Sequence, residues 1–381
     1  MKLRCYIICI FILALTKVWA VECGADRISE FKDDLLGKKV ALVVNHTSVI
    51  SKTEVHLLDT LLSLEINVAK IFTPEHGFRG TADAGEHVLD NKDAKSGLPI
   101  ISLYGKNRKP KAEDLADVDV LVFDIQDVGA RFYTYISTLF YVMQSAAEMG
   151  KEVIVLDRPN PNDYVDGPIL EDDFRSFVGI LPLPLLHGLT MGELAQMINQ
   201  EKWASEKAIN LKIVELKGWK HGQKYSLTIK PSPNLPNDHA IALYPSLCIF
   251  EATKFSVGRG TLTPFEVVGY PDKIYGDFSF TPKSLEGFDK NPKHKDKPCY
   301  GLDLSKEQAP KGFTLKYLIG FIKKSPEGIK IITSPEFFDK LMGNSQIRKL
   351  LEEGKTEEQI RKTWQKDLDE YKALREKYLI Y

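Results

Sequence analysis

The sequence predicts an α/β fold in which a parallel sheet carries helices on both faces. Short apolar runs alternate with amphipathic segments through the first half of the chain. Such alternation is typical of a parallel sheet with helices packed on it. Polar clusters directly follow four of the apolar runs. In open parallel sheets that position is the ligand crevice, so the same pattern also indicates where a site lies.

The predicted strands and helices follow one another in a regular order. Strands are predicted at residues 39–44, 66–71, 99–103, 118–123, 152–156 and 211–215, and helices at 54–64, 131–149, 190–199 and 356–378. The second helix ends at Gly150, as expected for a helix C-terminus. Thr190 with Glu193 and Thr356 with Gln359 form capping-box patterns. We therefore interpret Glu193 as a cap partner, and we expect the last helix to dock on the body of the protein.

Length and composition limit the class of protein. A chain of 381 residues is too long for one ordinary core and suggests two domains, which we place at 21–230 and 231–381. The proline-rich stretch 231–236 marks this boundary or forms a rigid loop under the site. A hydrophobic content of 43% and a charged content of 27% are typical of soluble globular proteins. The formal net charge of −1 shows no basic excess, so we expect no nucleic-acid partner.

Residues 1–20 are predicted to be a signal peptide. Basic side chains at positions 2 and 4 precede an apolar core at 6–15, and small residues end the segment at Ala20. We therefore expect an exported protein, periplasmic or extracellular, with no membrane span after cleavage. The cysteines left after processing are Cys23, Cys248 and Cys299, which allow at most one disulfide. Lipid anchoring at Cys23 is the less favoured alternative, because Glu22 before it fits a lipoprotein signal poorly.

The candidate site centres on a charged, glycine-rich loop. Glu75 and His76 follow the second predicted strand, and Arg79 and Glu86 lie further along the same loop. A loop so rich in charge is expected to carry function when it lies at a strand end. The structural alternative is a solvated connection with a Glu–Arg pair.

Other predicted strands are also followed by polar residues. These are His46 after the first strand, Asp124, Gln126 and Asp127 after the fourth, and Asn160 after the fifth. Because parallel strands end at one edge of the sheet, we expect these residues to converge on one crevice. For any single one, a role as turn former or helix cap is the alternative. No GxGxxG or Walker lysine motif occurs, so no nucleotide cofactor is expected.

Two positions in the second half add to the candidate site. Arg259 lies between Gly258 and Gly260, an arrangement that allows close approach of a ligand. A glycine turn with a surface arginine is the alternative. Asn234 lies in the proline-rich stretch.

Three segments, 73–80, 123–135 and 156–161, together resemble the NamZ family of exo-β-N-acetylmuramidases. The later segments 232–236, 244–246 and 256–261 and the ending 364–381 fit the same family, so the resemblance covers essentially the whole mature chain. It implies a Rossmann-like N-terminal domain, a smaller C-terminal α+β domain and a cleft between them. It also implies a glycoside hydrolase that removes N-acetylmuramic acid from the non-reducing ends of peptidoglycan fragments, with Glu75 as its leading catalytic residue.

Glycosidic cleavage usually needs two carboxyl groups, of which one protonates the leaving oxygen. Glu75 is the candidate acid. Its partner stays open between Glu86, which we slightly favour, and Asp127 or Asp124 from another strand end. The separation of the two carboxyl groups decides between retention and inversion.

Recognition of muramic acid calls for a cation, because its lactyl ether carries a carboxylate that glucosamine lacks. Arginine suits this group since its planar fork makes two hydrogen bonds. Arg131 and Arg259 are the first candidates and Arg79 the third. His76 or Arg79 is expected to tune the charge state of Glu75. Candidate platforms for the sugar ring are Tyr104, Tyr133 and Tyr135, which are otherwise core residues.

Two alternatives use the same crevice. His46, His76 and His87 lie beside two glutamates in a pattern open to a zinc-dependent cell-wall amidase, but no HExxH or other fixed spacing supports a metal. We therefore expect no metal cofactor. A non-catalytic glycan-binding protein is the other alternative. It needs fewer acidic residues than this crevice offers.

Overall fold

The computed structural model describes residues 21–78 and 91–381. The predicted signal peptide lies outside the described residues. The described strands are β1 Val40–Val44, β2 Val49–Ile50, β3 Val55–His56, β4 Val68–Thr73, β5 Asn91–Lys92, β6 Pro99–Ser102, β7 Val120–Asp124, β8 Glu152–Leu156, β9 Val165–Ile169, β10 Pro184–His187, β11 Leu211–Val214, β12 Val267–Tyr270, β13 Phe278–Phe280 and β14 Cys299–Asp303. The described α-helices are α1 Lys32–Leu35, α2 Leu57–Ser63, α3 Ala112–Leu115, α4 Tyr135–Met149, α5 Met191–Gln200, α6 Asp238–Leu247, α7 Lys316–Lys324, α8 Pro335–Met342, α9 Gln346–Glu352, α10 Glu357–Arg361 and α11 Gln365–Arg375.

The main sheet has the strand order β11-β8-β7-β1-β4-β6-β5. Six of its strands are parallel, and β5 pairs antiparallel with β6 at one edge. The chain builds the sheet outward from β1 in both directions, so the order reverses between β1 and β7. This is the doubly wound arrangement of Rossmann-like folds, and it confirms the predicted fold class.

Both faces of the main sheet are covered. In β1, Ala41 and Val43 pack into a core cluster that includes residues of α4 and α5. Val40, Leu42 and Val44 pack on the opposite side with residues of α1 and α2. All five residues of β1 are buried, as expected for a parallel strand between two helical layers.

One predicted helix begins later than expected. The pattern from residue 131 predicts a helix there, yet α4 begins at Tyr135. The preceding residues are held by other partners: Ala130 forms a bridge with Leu186, and the Arg131 amide donates to the Leu185 carbonyl at 2.8 Å. The predicted end of this helix is confirmed, because Gly150 adopts the left-handed conformation with a φ of 63°.

The C-terminal part contains a three-stranded antiparallel sheet, β12-β14-β13, and helices α7 to α11. The predicted helix 356–378 is divided into α10 and α11 by a turn at 362–364, and the predicted docking of the last helix is confirmed. The Tyr371 hydroxyl donates to the His187 carbonyl at 2.7 Å, and Arg375 donates to the Gly188 carbonyl. Both predicted capping boxes are present, at Thr190 and Thr356.

Two further features of the described residues bear on the sequence predictions. Cys23, Cys248 and Cys299 are buried free thiols.

No helix in residues 21–78 or 91–381 has the length and apolar character needed to cross a membrane.

Candidate active site

A cleft of about 740 Å³ opens beside the carboxyl ends of β4 and β6. The N-terminal half contributes Glu75, Tyr104, Arg108, Phe132, Thr134 and Phe177, and the C-terminal half contributes Tyr244, Glu251, Phe255, Arg259, Asp289, Lys293 and Phe337. Aromatic rings therefore form much of the wall, with acids and cations placed among them. A cleft of this size and lining is suited to a small polar ligand with apolar faces, such as one or two sugar rings.

Glu75 is held by two hydroxyl groups. The Thr134 hydroxyl donates to Oε2 of Glu75 at 3.0 Å. Tyr104 also hydrogen-bonds this carboxylate, and burial, followed by the Glu75 charge and this bond, raises the pKa of Tyr104 well above its ordinary value. The tyrosine therefore stays protonated and remains a donor. Because Thr134 immediately precedes α4, the carboxylate lies at the N-terminal end of a 15-residue helix, where negative charge is favoured.

The backbone turns sharply directly after Glu75. His76 and Gly77 both have a φ of 71°, in the left-handed region. For a non-glycine residue this conformation costs about 1–2 kcal/mol, and such strain clusters at functional sites. The turn places the buried His76 ring in the wall of a small recess that extends from the cleft.

Of the two predicted arginines that the structure describes, Arg259 reaches the cleft. Its Nε donates to Oε1 of Glu251 at 2.5 Å and its Nη2 donates to Oε2 at 3.2 Å. Burial lowers the pKa of Arg259, but the Glu251 ion pair more than offsets this and leaves the pKa above its ordinary value. Gly258 and Gly260, with φ of 80° and 78°, allow the tight loop that carries it. The guanidinium is therefore permanently charged and fixed in orientation.

Two further cations line the cleft, and the sequence analysis missed both. Arg108 lies over the Phe177 ring at 4.6 Å, and its Nε donates to the Gly105 carbonyl. Lys293 donates to the backbone carbonyls of Glu251 and Thr253. No local sequence signal separates these two from the many surface lysines and arginines of the chain.

The recess has a volume of about 60 Å³ and joins the cleft at Glu75, Phe132, Thr134, Tyr244 and Arg259. Its other walls are His76, Tyr133, Tyr135, Ser232, Asn234, Leu235 and Phe265. Three of these residues come from the proline-rich stretch 231–236. The interpretation of that stretch as a loop under the site is therefore consistent with its position.

Arg131 does not reach the cleft, contrary to the sequence analysis. Only 1% of the residue is exposed. Its Nη1 donates to the carbonyls of Pro168 and Leu183 at 2.7 and 2.6 Å, and its Nη2 donates to the Leu341 carbonyl at 3.0 Å. Burial lowers the pKa of Arg131 to about 9. It ties α8 to the β9–β10 hairpin and is a structural residue.

The polar side chains at the end of β7 also stabilise the fold and do not line the cleft. Asp124 is fully buried and accepts two hydrogen bonds from Arg158, at 2.6 and 3.0 Å. Gln126 donates through Nε2 to the carbonyls of Asp127 and Pro159, both at 2.8 Å. These side chains fill the point between β1 and β7 where a doubly wound sheet usually binds its ligand. The cleft lies instead beside β4 and β6.

Three other predicted residues hold backbone groups outside the cleft. Asp127 accepts from the Gly129 amide at 2.6 Å. Asn160 donates to the Leu189 carbonyl at 3.0 Å, and Nε2 of His46 pairs with the Lys230 carbonyl at 2.8 Å. These partners explain why polar residues follow the strands without forming part of the cleft.

The predicted residues that line the cleft or its recess are thus Glu75, His76, Tyr104, Tyr133, Tyr135, Asn234 and Arg259. Arg79, Glu86 and His87 lie outside the described residues. Within the described ranges, no group of three or more histidine, cysteine, aspartate or glutamate side chains is arranged to hold a metal ion. The carboxylates at the described cleft wall are Glu75, Glu251 and Asp289, of which Glu251 is neutralised by Arg259.

Known proteins resemble this chain over most of its length. Residues 40–239 match the model of the N-terminal region of exo-β-N-acetylmuramidase NamZ, and residues 242–381 match the model of its C-terminal region. The peptidoglycan β-N-acetylmuramidase NamZ of Bacillus subtilis is 38% identical, over 95% of this chain and 91% of that protein.

Two crystal structures of DUF1343 family proteins from Bacteroides fragilis share the fold. One superposes with a TM-score of 0.87 at 41% identity and the other with 0.79 at 31%, and each match covers 95% of this chain and 99% of the other. Because the chain matches the models of both the N-terminal and the C-terminal region, it belongs to the NamZ family of exo-β-N-acetylmuramidases.

Proposed function

We propose that this chain is an exo-acting glycoside hydrolase that releases N-acetylmuramic acid from the non-reducing ends of peptidoglycan fragments, and that Glu75 is its acid–base residue. The observation that carries the proposal is the position of Glu75. Its carboxylate lies in the wall of the cleft, and Thr134 and Tyr104 fix it there. The similarity to the Bacillus subtilis muramidase supports the same activity and substrate class.

The cleft provides what glycosidic cleavage requires. Glu75, when protonated, delivers a proton to the leaving oxygen, and Tyr104 and Thr134 hold its carboxylate in one orientation as the proton leaves. Aromatic walls reduce the water around the sugar and strengthen these electrostatic interactions. The candidates for the second carboxyl group, which activates water or attacks the anomeric carbon, are Asp289 in the described wall and Glu86, which lies outside the described residues.

Arg259 is the proposed reader of the lactyl carboxylate. The ion pair with Glu251 uses Nε and Nη2, which leaves the outer edge of the fork for a ligand. The pair also fixes the guanidinium plane before substrate binds, so little side-chain entropy is lost on binding.

The proposed activity is tested with a MurNAc–GlcNAc disaccharide and mass analysis of the products. We expect free N-acetylmuramic acid and N-acetylglucosamine, at a rate that EDTA does not change. Activity lost on chelation and restored by zinc would favour the amidase class of mechanism instead. Binding without any product would favour a glycan-binding protein.

We further propose that the protein is exported to the periplasm or the cell exterior after removal of residues 1–20. The basic start, apolar core and small residues before the cut support this. Expression of the full chain in a bacterial host, with N-terminal sequencing of the product, should find a mature chain that begins at Val21. A product that retains Met1 and stays in the cytoplasm would refute the export proposal.

A further inference from the structure

The recess beside Glu75 contains buried polar atoms that lack partners. Oδ1 of Asn234 and the hydroxyl of Tyr133 are buried atoms without a hydrogen bond of ordinary geometry among the described residues. The two residues are 3% and 8% exposed. Both line the recess. A buried polar group without a partner is destabilising, so a ligand that forms hydrogen bonds with both atoms binds more tightly in this recess.

The hydrogen-bonding character of these atoms is defined. Nδ2 of Asn234 donates to the Phe288 carbonyl at 3.0 Å, so the atom left without a partner is the amide oxygen, an acceptor. The Tyr133 hydroxyl is held in its protonated form, because burial raises its pKa well above the ordinary value. Ser232 and Tyr135 lie near this hydroxyl but make no hydrogen bond of ordinary geometry with it, so its O–H can turn to a ligand. The described buried atoms of the recess that lack a partner are thus one acceptor and one donor.

An amide group is the complement of this pair, since it offers one N–H donor and one carbonyl acceptor. The recess volume of about 60 Å³ is several times the roughly 10–15 Å³ that one water molecule needs, so a small group of a few heavy atoms fits. The rings of Phe132 and Phe265 and the side chain of Leu235 form the apolar part of the wall. They fit a methyl group.

We propose that this recess binds the 2-acetamido group of the terminal sugar, with its N–H donating to Asn234 and its carbonyl accepting from Tyr133. The assignment rests on the proposed function. It agrees with the position of Arg259, which lines both the recess and the cleft. The acetamido group on C2 and the lactyl ether on C3 are neighbours on the muramic acid ring, so one sugar reaches the recess and the arginine together.

The test measures binding of two sugars by titration calorimetry, N-acetylmuramic acid and 3-O-lactylglucose, which has a hydroxyl group in place of the acetamido group. Wild-type protein should prefer the first sugar by at least tenfold. Tyr133→Phe should weaken the binding of N-acetylmuramic acid by about 2- to 13-fold, which is the contribution of one hydrogen bond. It should weaken the binding of 3-O-lactylglucose by less than twofold. Tyr317→Phe is the matched control, because Tyr317 also carries a buried unpaired hydroxyl but lies in α7, outside the recess.

A second measurement needs no variant. N-butanoylmuramic acid should bind wild-type protein at least tenfold more weakly than N-acetylmuramic acid, because two more carbons must enter a recess of about 60 Å³. Two results would overturn the acetamido assignment: Tyr133→Phe weakens the binding of both sugars equally, or the two acyl forms bind equally well. If the disaccharide is still cleaved, the proposed function stands and only this assignment fails. If the disaccharide is not cleaved and neither sugar binds, the proposed function fails, and this assignment fails with it.

Discussion

Replacement of Glu75 with glutamine is expected to lower kcat for the MurNAc–GlcNAc disaccharide by about 10²- to 10⁴-fold, the usual contribution of acid–base catalysis. An amide is nearly isosteric with a carboxyl group and still accepts hydrogen bonds from Thr134 and Tyr104 through its oxygen, but it delivers no proton. The fold, followed by circular dichroism, and the affinity for N-acetylmuramic acid should therefore change little.

The matched control for this variant is Glu148→Gln. Glu148 pairs with Lys109 on an exposed surface, and its side chain is 55% accessible. Surface pairs of this kind contribute little, so its kcat should stay within twofold of wild type. A Glu75→Gln rate within tenfold of wild type would mean that Glu75 is structural and that the proton comes from another residue.

The second large effect is expected for Arg259→Ala. If Arg259 binds the lactyl carboxylate, its loss should lower the preference for muramic acid over N-acetylglucosamine substrates by about 10- to 150-fold, since a hydrogen bond to a charged group contributes about 1.5–3 kcal/mol. Lysine should restore only part of this preference, because a point charge does not reproduce a two-bond fork. The ratio of kcat/KM values for the two substrates is the measurement.

Arg259→Ala also leaves Glu251 without its ion-pair partner. That loss affects the rates for both substrates alike, so it cancels in the ratio of the two kcat/KM values. Arg108→Ala is the control within the same cleft. Arg108 is an exposed residue stacked on Phe177, so its removal should change the preference less than fivefold. Equal losses on both substrates for Arg259→Ala would assign that arginine to support of the site. A loss confined to Arg108→Ala would move the carboxylate reader to that position.

The fold was predictable because the signals are local. A parallel strand buried on both faces requires a continuous apolar run, and residues 40–44 supply one. Gly150 and the capping boxes at Thr190 and Thr356 mark helix ends through contacts within a few residues. The start of α4 was predicted wrongly, because a distant bridge to Leu186 competes with the helix there.

The site was predictable only in part. The sequence does not distinguish a polar residue that faces a ligand after a strand from one that forms hydrogen bonds with buried backbone groups. Asp124 pairs with Arg158, which is 34 positions away, and the partners of Arg131 lie 37, 52 and 210 positions away. Glu75 was predicted because it lies in a charged, glycine-rich segment that resembles a known family. The recess was not predicted, because Tyr133 and Asn234 come together only in the folded chain.

The most direct measurement of the central claim is a crystal structure of the Glu75→Gln variant with the intact MurNAc–GlcNAc disaccharide. We expect the muramic ring in the cleft, with the glycosidic oxygen about 3 Å from the amide of residue 75, the distance that proton transfer requires. The disaccharide bound elsewhere would contradict the claim. One alternative location among the described residues is the groove of about 470 Å³ beside Trp203 and Trp364, whose lining does not include Glu75.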